Sequence, residues 1–333
     1  MHVGVYLVDG VFDSGLAILN DILTTANVLG GAEVPSVEPW QVTLLGSSVH
    51  TSTGAGLRAT TVPTAKLDRA LDLLVVPALA VKEPRDLVTA VSSDRTRSAR
   101  RFIAGTYASG VPVAAACTST FLLAQAGILD GAAATTSWWL GPVFRKRYPA
   151  VRLDETRTLV YDQGRTTAGA AFAHIDLALS IVMARTPAVA DLVARHLLLD
   201  TRPSQATYAM PTMLAGHHPL VASFERWVRT HVDEVAGIAQ AARALRVSER
   251  TLQRAVADTL GMTPIEFVQE IRLDEATRLL RTTSLTVETI ARRVGYRNTA
   301  SLRQVMRRRR HTTLGAIRRR STTGAADLGR SQP

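Results

Sequence analysis

The feature that most constrains the fold is a run near the C-terminus, Thr283 to Arg320, in which one helical pattern stops at a glycine and another starts a few residues later. Ile290, Ala291 and Val294 fall at helical spacing, Gly295 breaks the helix where a tight turn must follow, and a new helix can begin near Asn298 or Thr299. This is the pattern of a helix-turn-helix. The second helix carries Arg303, Gln304, Arg307, Arg308, Arg309 and Arg310. Guanidinium forks bind phosphate or the O6/N7 edge of guanine, and a glutamine amide can pair with adenine, so this composition suits a helix laid in a major groove.

Charge supports the same division of labour. From Pro219 to Arg320 there are 20 arginines, no lysine and 10 acidic residues, so nearly all of the formal +11 of the chain lies in its C-terminal third. A length of 333 residues exceeds one comfortable core, which makes two domains the expectation, and 46% hydrophobic with 20% charged residues is globular composition. No long uncharged apolar stretch and no signal-peptide pattern is present, so a soluble cytoplasmic protein with no membrane partner is expected. The single cysteine, Cys117, agrees with a reducing compartment.

In the N-terminal part, strand-like and helix-like segments alternate. VGVYLV (Val3 to Val8) reads as a strand feeding a helix that keeps apolar spacing to Leu29; Trp40 to Leu45, Leu71 to Val76 and Val111 to Ala115 read as further strands, and the span from Pro84 to Tyr107 as one helix with a charged face. Alternation of this kind argues for a parallel sheet with helices on both sides. The segment PVAAACTSTFLLAQAGILDG changes from strand to helix at Cys117. Such an elbow holds its tip residue above the C-terminal edge of the sheet, beside the free N–H groups of the next helix, and a thiol there is predisposed to ionise.

That elbow, the AQAGILDG after it, the ATTSWW that comes next and the helix AFAHIDLALSIVMAR resemble the DJ-1/PfpI domain, over roughly Val3 to Leu199. The resemblance implies a flavodoxin-like α/β sandwich. It also implies a small-molecule pocket around Asp21, Cys117, Thr118 and Ser137, with Asp21 facing Cys117. Several positions depart from the family pattern. Ser137 stands where catalytic relatives have a histidine, Gly15 where an aspartate is common, Asp21 where a glutamate is, and His174 where glycine is usual. Serine cannot act as a base near neutral pH. Cys117 is therefore expected to line a pocket rather than attack a substrate, with a buried packing thiol as the alternative. His217 and His218 are adjacent and lack accompanying Cys or acidic residues, so neither a metal site nor a cofactor is expected.

Asp200 to His218 mixes Pro, Ser, Thr and Gly without sustained period and reads as an interdomain linker. After it, Leu220 to His231 reads as an amphipathic helix, Ile238 to Arg246 as a second, and SERTLQRAVADTL as a third with Ser248 as N-cap, making another helix-turn-helix. A long helix to Arg281 joins this unit to its counterpart about 50 residues on. Ser248, Arg250, Leu252, Arg254, Gly261, Thr263, Pro264, Arg272, Leu273, Ala276, Leu279, Leu280, Ile290, Ala291, Val294, Gly295 and Tyr296, in that order and spacing, are similar to the AraC/XylS DNA-binding domain. Leu302 and Met306 stand where that family usually has phenylalanine, and Gln304 where it has arginine. The closing Gly-x-x-Pro is replaced by HTTL, from His311 to Leu314. The resemblance implies that both recognition helices enter major grooves about one turn, roughly 34 Å, apart. The DNA-facing residues expected are Arg250, Gln253 and Arg254 in the first helix and Asn298, Thr299, Arg303, Gln304 and Arg307 in the second.

The expected organisation is a DJ-1/PfpI-like sensing and dimerisation domain (1–199), a linker (200–218), an all-α double helix-turn-helix domain (219–320) and a disordered tail (321–333). The combination resembles transcriptional regulators of the GlxA group. It implies a homodimer that binds promoter DNA, responds to a small-molecule effector and acts on RNA polymerase, without being an enzyme. Two other functions fit parts of the sequence: a cysteine-dependent hydrolase or amidase tethered to DNA, and a chromosome-organising protein that binds DNA without sequence preference.

Overall fold

The five residues HVGVY form β1 (His2–Tyr6), buried at every position as a strand covered on both faces must be. It lies inside a seven-stranded sheet of a computed structural model that describes residues 1–33, 38–200, 205, 212, 215, 218–233, 237–310 and 312–318. The chain divides into two units, Met1–Gln205 and Ala206–Pro333. Most of the expected linker and the whole 321–333 tail lie outside the described residues.

In the first unit, α1 (Asp13–Glu33) follows β1 and leads to β2 (Gln41–Gly46), the short pair β3 (His50–Ser52) and β4 (Arg58–Thr60), and β5 (Val62–Pro63). Then come β6 (Leu73–Val76), α2 (Pro84–Ser92), α3 (Arg97–Ala108), β7 (Val113–Ala116), α4 (Thr120–Gln125), β8 (Ala133–Ala134), α5 (Gly141–Arg147) and β9 (Arg152–Leu153). β10 (Leu159–Asp162), β11 (Arg165–Ala168), α6 (His174–Arg185) and α7 (Pro187–His196) complete it. The sheet runs β10-β11-β7-β6-β1-β2-β5, parallel throughout except for the β10–β11 hairpin. Its central order, β2-β1-β6-β7-β11, is the doubly wound flavodoxin-like arrangement, whose switch point falls between β1 and β6. Leu19, Leu23, Leu177, Val182, Val189 and Val193 pack α1, α6 and α7 on one face. Leu87, Ile103, Phe121 and Phe144 pack α2 to α5 on the other.

Two sequence readings change. The single helix expected from Pro84 to Tyr107 is two, because the chain turns extended at Ser93 (ψ 162°) before a short 3-10 turn restarts it. The β10–β11 hairpin was not anticipated; its strands are four residues each and carry no sustained alternation.

The second unit is helical: α8 (Pro219–Thr230), α9 (Ile238–Ala244), α10 (Glu249–Leu260), α11 (Pro264–Thr282), α12 (Val287–Arg293) and α13 (Thr299–Arg310). Ser248 Oγ accepts from Thr251 N to cap α10, and Gly261 ends it in the left-handed region (φ 68°). Thr263 and Glu266 form a reciprocal capping box at the start of α11, with Pro264 in its first turn. Phe224 of α8 meets Phe267 of α11 with ring centroids 6.1 Å apart. Further along, α11 gives Leu273, Ala276, Leu279 and Leu280 to a core shared with Ile290, Ala291 and Val294 of the α12 region. Leu302 and Met306 are fully buried in that core and Leu314 and Ile317 close it, so the departures from aromatic residues leave it filled.

The turns of the two helix pairs use a left-handed residue at equivalent places, Arg246 (φ 56°) in the first and Gly295 (φ 77°) in the second. The second is crowded: a Cβ on Gly295 would stand 2.5 Å from Val232 O and 2.6 Å from the Arg272 guanidinium. Gly295→Ala is expected to destabilise the second unit by about 2 kcal/mol or more, through strain and this clash together. Denaturant unfolding of the full chain, followed by far-ultraviolet circular dichroism, to which the all-helical second unit contributes strongly, checks it; an unchanged midpoint would contradict the close approach.

Candidate nucleic-acid interface and cysteine elbow

Helical spacing puts Arg250, Gln253 and Arg254 on one side of α10, opposite buried Leu252 and Val256. In α13, Arg303, Gln304 and Arg307 likewise lie opposite Leu302 and Met306. All six are exposed, and among the described residues no hydrogen bond or ion pair involves them. The two faces coincide when the helices are aligned by their caps, Ser248 and Asn298. Gln253 then matches Arg303 and Arg254 matches Gln304. Exposed Arg308 adjoins the second face.

Asn298 is exposed at the start of α13, where its Oδ1 accepts from Ser301 N at 2.8 Å and caps the helix, and Thr299 beside it is half-buried. Arg309 and Arg310 lie outside the outward set. Arg309 contacts Gln269 Oε1 (3.0 Å), Glu270 Oε1 (3.0 Å) and Glu266 Oε1 (3.1 Å), while Arg310 reaches Glu270 Oε2 and Asp274 Oδ1, each at 2.7 Å. Glu270 is 7% exposed. The Thr263 N–H, with Arg309 behind it, holds the Glu266 carboxyl below the usual range, whereas burial pushes Asp274 up against the pull of Arg310. The arginine run thus faces two ways, because four successive residues go all the way round a helix.

In the first unit the elbow forms as expected, with Cys117 in the left-handed region (φ 56°) between β7 and α4. The expectation of an ionised thiol fails. Cys117 is 5% exposed, and burial pushes its pKa up more than the contacts with Ser137 and Thr118 pull it down. Its Sγ lies 2.8 Å from Ser137 Oγ, and Ser137 Oγ donates to Gly169 O at 3.3 Å, which leaves the thiol as donor at the head of the chain. Thr118 Oγ1 turns away, donating to Leu79 O and accepting from Leu79 N. His174 supplies no base. Its Nε2 accepts from Ala78 N at 3.1 Å, its Nδ1 donates to Ala171 O, and burial lowers its pKa.

Asp21 does not join the elbow. It is exposed and lines a separate cleft with Asp13, Asn20, Thr53 and Arg58. The reason is phase: Gly15, near the start of α1, is the residue packed on His174, with a virtual Cβ 2.6 Å from Nε2. Six residues further on, the helix has turned Asp21 to another side. A cavity of about 740 Å³ opens instead at the switch point, between Leu7, Val8 and Asp9 beyond β1 and Leu79 and Val81 beyond β6, with Asp86 and Arg95 among its residues. Among the described residues no cluster of three potential metal ligands occurs, and no helix is long and apolar enough to cross a membrane.

Residues 241–320 match the family model of a helix-turn-helix domain, so the second unit carries such a domain. The chain is 27% identical over 217 residues to the HTH-type transcriptional regulator GlxA of Rhizobium meliloti (strain 1021), covering 64% of this chain and 66% of the relative. It is 30% identical over 194 residues to the HTH-type transcriptional regulator CdhR of Pseudomonas aeruginosa, covering 56% and 57%. Each match therefore spans less than two thirds of the relative. The crystal structure of a Vibrio parahaemolyticus regulator protein superposes with a TM-score of 0.50 at 16% identity, covering 59% of this chain and 98% of that one, which is a likeness of fold.

Alkylation of Cys117 by iodoacetamide at pH 8 is expected to be at least about tenfold slower in the native chain than in denaturant, because the thiol is both buried and held protonated. Equal rates would contradict the closed elbow. Arg310→Met is expected to cost the second unit about 2 kcal/mol of stability, by leaving half-buried Asp274 without this cation and buried Glu270 with Arg309 alone, whereas Arg303→Ala should leave stability unchanged. Paired denaturant melts check this, and equal effects would contradict the two-way division of α13.

Proposed function

We propose that this chain is a sequence-specific regulator of transcription that binds double-stranded promoter DNA through its second unit. The observation that carries this is the pair of matched faces, Arg250-Gln253-Arg254 and Arg303-Gln304-Arg307, exposed and uncommitted on two capped helices. Guanidinium and carboxamide groups at that spacing supply both phosphate contacts and base-edge readers. The names of the relatives, both transcriptional regulators, support the same reading.

The first unit, in this reading, senses a small molecule and pairs two chains, so that their DNA-binding units share one repeated or palindromic site. A bound molecule shifts that pairing only if it prefers one arrangement over another. The switch-point cavity offers it room, while the thiol held as a donor supports a role for Cys117 without catalysis. We place the sensing domain at 1–199, the linker at 200–218 and the DNA-binding domain at 219–320, acting in the cytoplasm, without a cofactor, on transcription by RNA polymerase.

The test is selection of bound genomic fragments by the purified full chain, followed by affinity for the enriched duplex and a scrambled one across a range of salt. The enriched duplex should be preferred by roughly a thousandfold or more, and Arg303→Ala should weaken binding and lower the salt slope by about one if that arginine holds a phosphate. Equal affinity for both duplexes would replace this reading with a chromosome-organising one.

A further inference from the structure

Aligned by their caps, the outward faces of α10 and α13 match in position and differ in charge. Counting from Ser248 and Asn298, the sixth residues are Arg254 and Gln304, the ninth Ala257 and Arg307, and the tenth Asp258 and Arg308, all of them exposed. Asp258 and Arg308 lie one turn beyond Arg254 and Gln304, on the same side of their helices and about 15 Å along the axis from the caps. Over its second half the face of α13 gains two guanidinium groups, whereas that of α10 gains a methyl group and a carboxylate.

The carboxylate does not stabilise its own helix. Asp258 sits in the last turn of α10, at the negative end of the helix dipole, and that turn holds no basic residue. Among the described residues no hydrogen bond or ion pair involves Asp258, and Arg254, four residues earlier, is not paired with it. An exposed anion here is unfavourable to the helix, and on this face it is unfavourable to the approach of a polyanion as well. The end of α13 has the opposite character: Arg307 and Arg308 lie in its last turn, where the dipole favours cations.

We propose that Asp258 is a specificity-determining residue for DNA, a fixed negative charge that holds the C-terminal half of α10 away from the phosphate backbone. α10 then enters its groove by its N-terminal half, with Arg250, Gln253 and Arg254 toward the bases, while α13 lies along its groove and grips phosphates through Arg307 and Arg308. This rests on the proposed function, in which both helices meet one duplex. A complex on unrelated DNA is held by phosphate contacts alone, so a carboxylate near the backbone weakens it directly. On the selected site base contacts fix α10 with the carboxylate clear of the phosphates, and the loss is smaller. Specificity is the difference between the two affinities, and a repulsive group enlarges it. The two helices therefore read their grooves unequally, α10 chiefly through bases and α13 chiefly through the backbone.

Wild type, Asp258→Asn, Asp258→Arg and Arg308→Ala, all as full chains, are titrated with the selected duplex and the scrambled one across a range of salt. Asp258→Asn should bind the scrambled duplex about threefold more tightly and gain less on the selected one, so that the preference falls. Asp258→Arg, which copies α13, should also steepen the salt slope on the scrambled duplex by about one. Arg308→Ala should weaken both duplexes alike and flatten the slope by about one. Unchanged affinities with both substitutions of Asp258 overturn its proximity to phosphates. An equal gain on both duplexes overturns its role in specificity. Weaker binding of the selected duplex alone would make Asp258 a base reader, accepting from cytosine N4, in place of a repulsive group. If wild type binds both duplexes equally, the sequence-specific function fails, while the response of the scrambled duplex to Asp258→Asn still decides whether the carboxylate faces the backbone.

Discussion

The second helix of the second helix pair, α13, is held by a part-buried charge cluster, and the rest of that unit depends on it. Glu266, Glu270 and Asp274 project from α11 and take Arg309 and Arg310 from the end of α13. Removing charges from water is costly unless each finds close partners, so the cluster tolerates little change in the position of α13. Leu302 and Met306 hold the same helix from its apolar side. Fixed in both ways, α13 presents Arg303, Gln304 and Arg307 as a rigid face, and rigidity is what discrimination among base edges requires.

The first unit closes its strand-to-helix elbow at Cys117 with hydrogen bonds. Hydroxyls do most of the closing: Thr118 bonds both main-chain atoms of Leu79, Ser119 donates to Pro77 O, Thr136 donates to Cys117 O, and Ser137 meets the thiol. A network in which nearly every member is satisfied is stiff. Leu79 belongs at once to this network and to the wall of the switch-point cavity, so a molecule bound in the cavity would press on a residue already bonded to the elbow. Gln205 touches the other end of the same network through Thr136 and Gly169.

Periodicity and turn chemistry made most of this visible in the sequence. The apolar runs of β1, β6 and β7 announced buried parallel strands, and the break at Gly295 announced the second turn, because these signals are local. The roles of Arg309 and Arg310 were not visible, since their carboxylate partners lie some 40 residues earlier and composition alone cannot divide an arginine run between faces. Asn298 carried two signals at once: an amide before a helix suits a cap as well as a DNA contact, and its bond to Ser301 N shows the cap. Asp21 was misplaced because helical phase over α1 had to be inferred from family positions rather than from contacts. Gln205 gave no signal, for a lone polar residue among Pro, Ser and Thr reads as solvent-facing until a glycine opposite it makes room.

Hydroxyl-radical footprinting of the full chain on its selected duplex tests the central claim most directly, with Arg254→Ala and Arg303→Ala run alongside. The account predicts two protected backbone segments for each DNA-binding unit, on one face of the duplex and about one turn apart, with each substitution weakening a different segment. A single segment untouched by one of the substitutions, or protection spread evenly along the duplex, would contradict it.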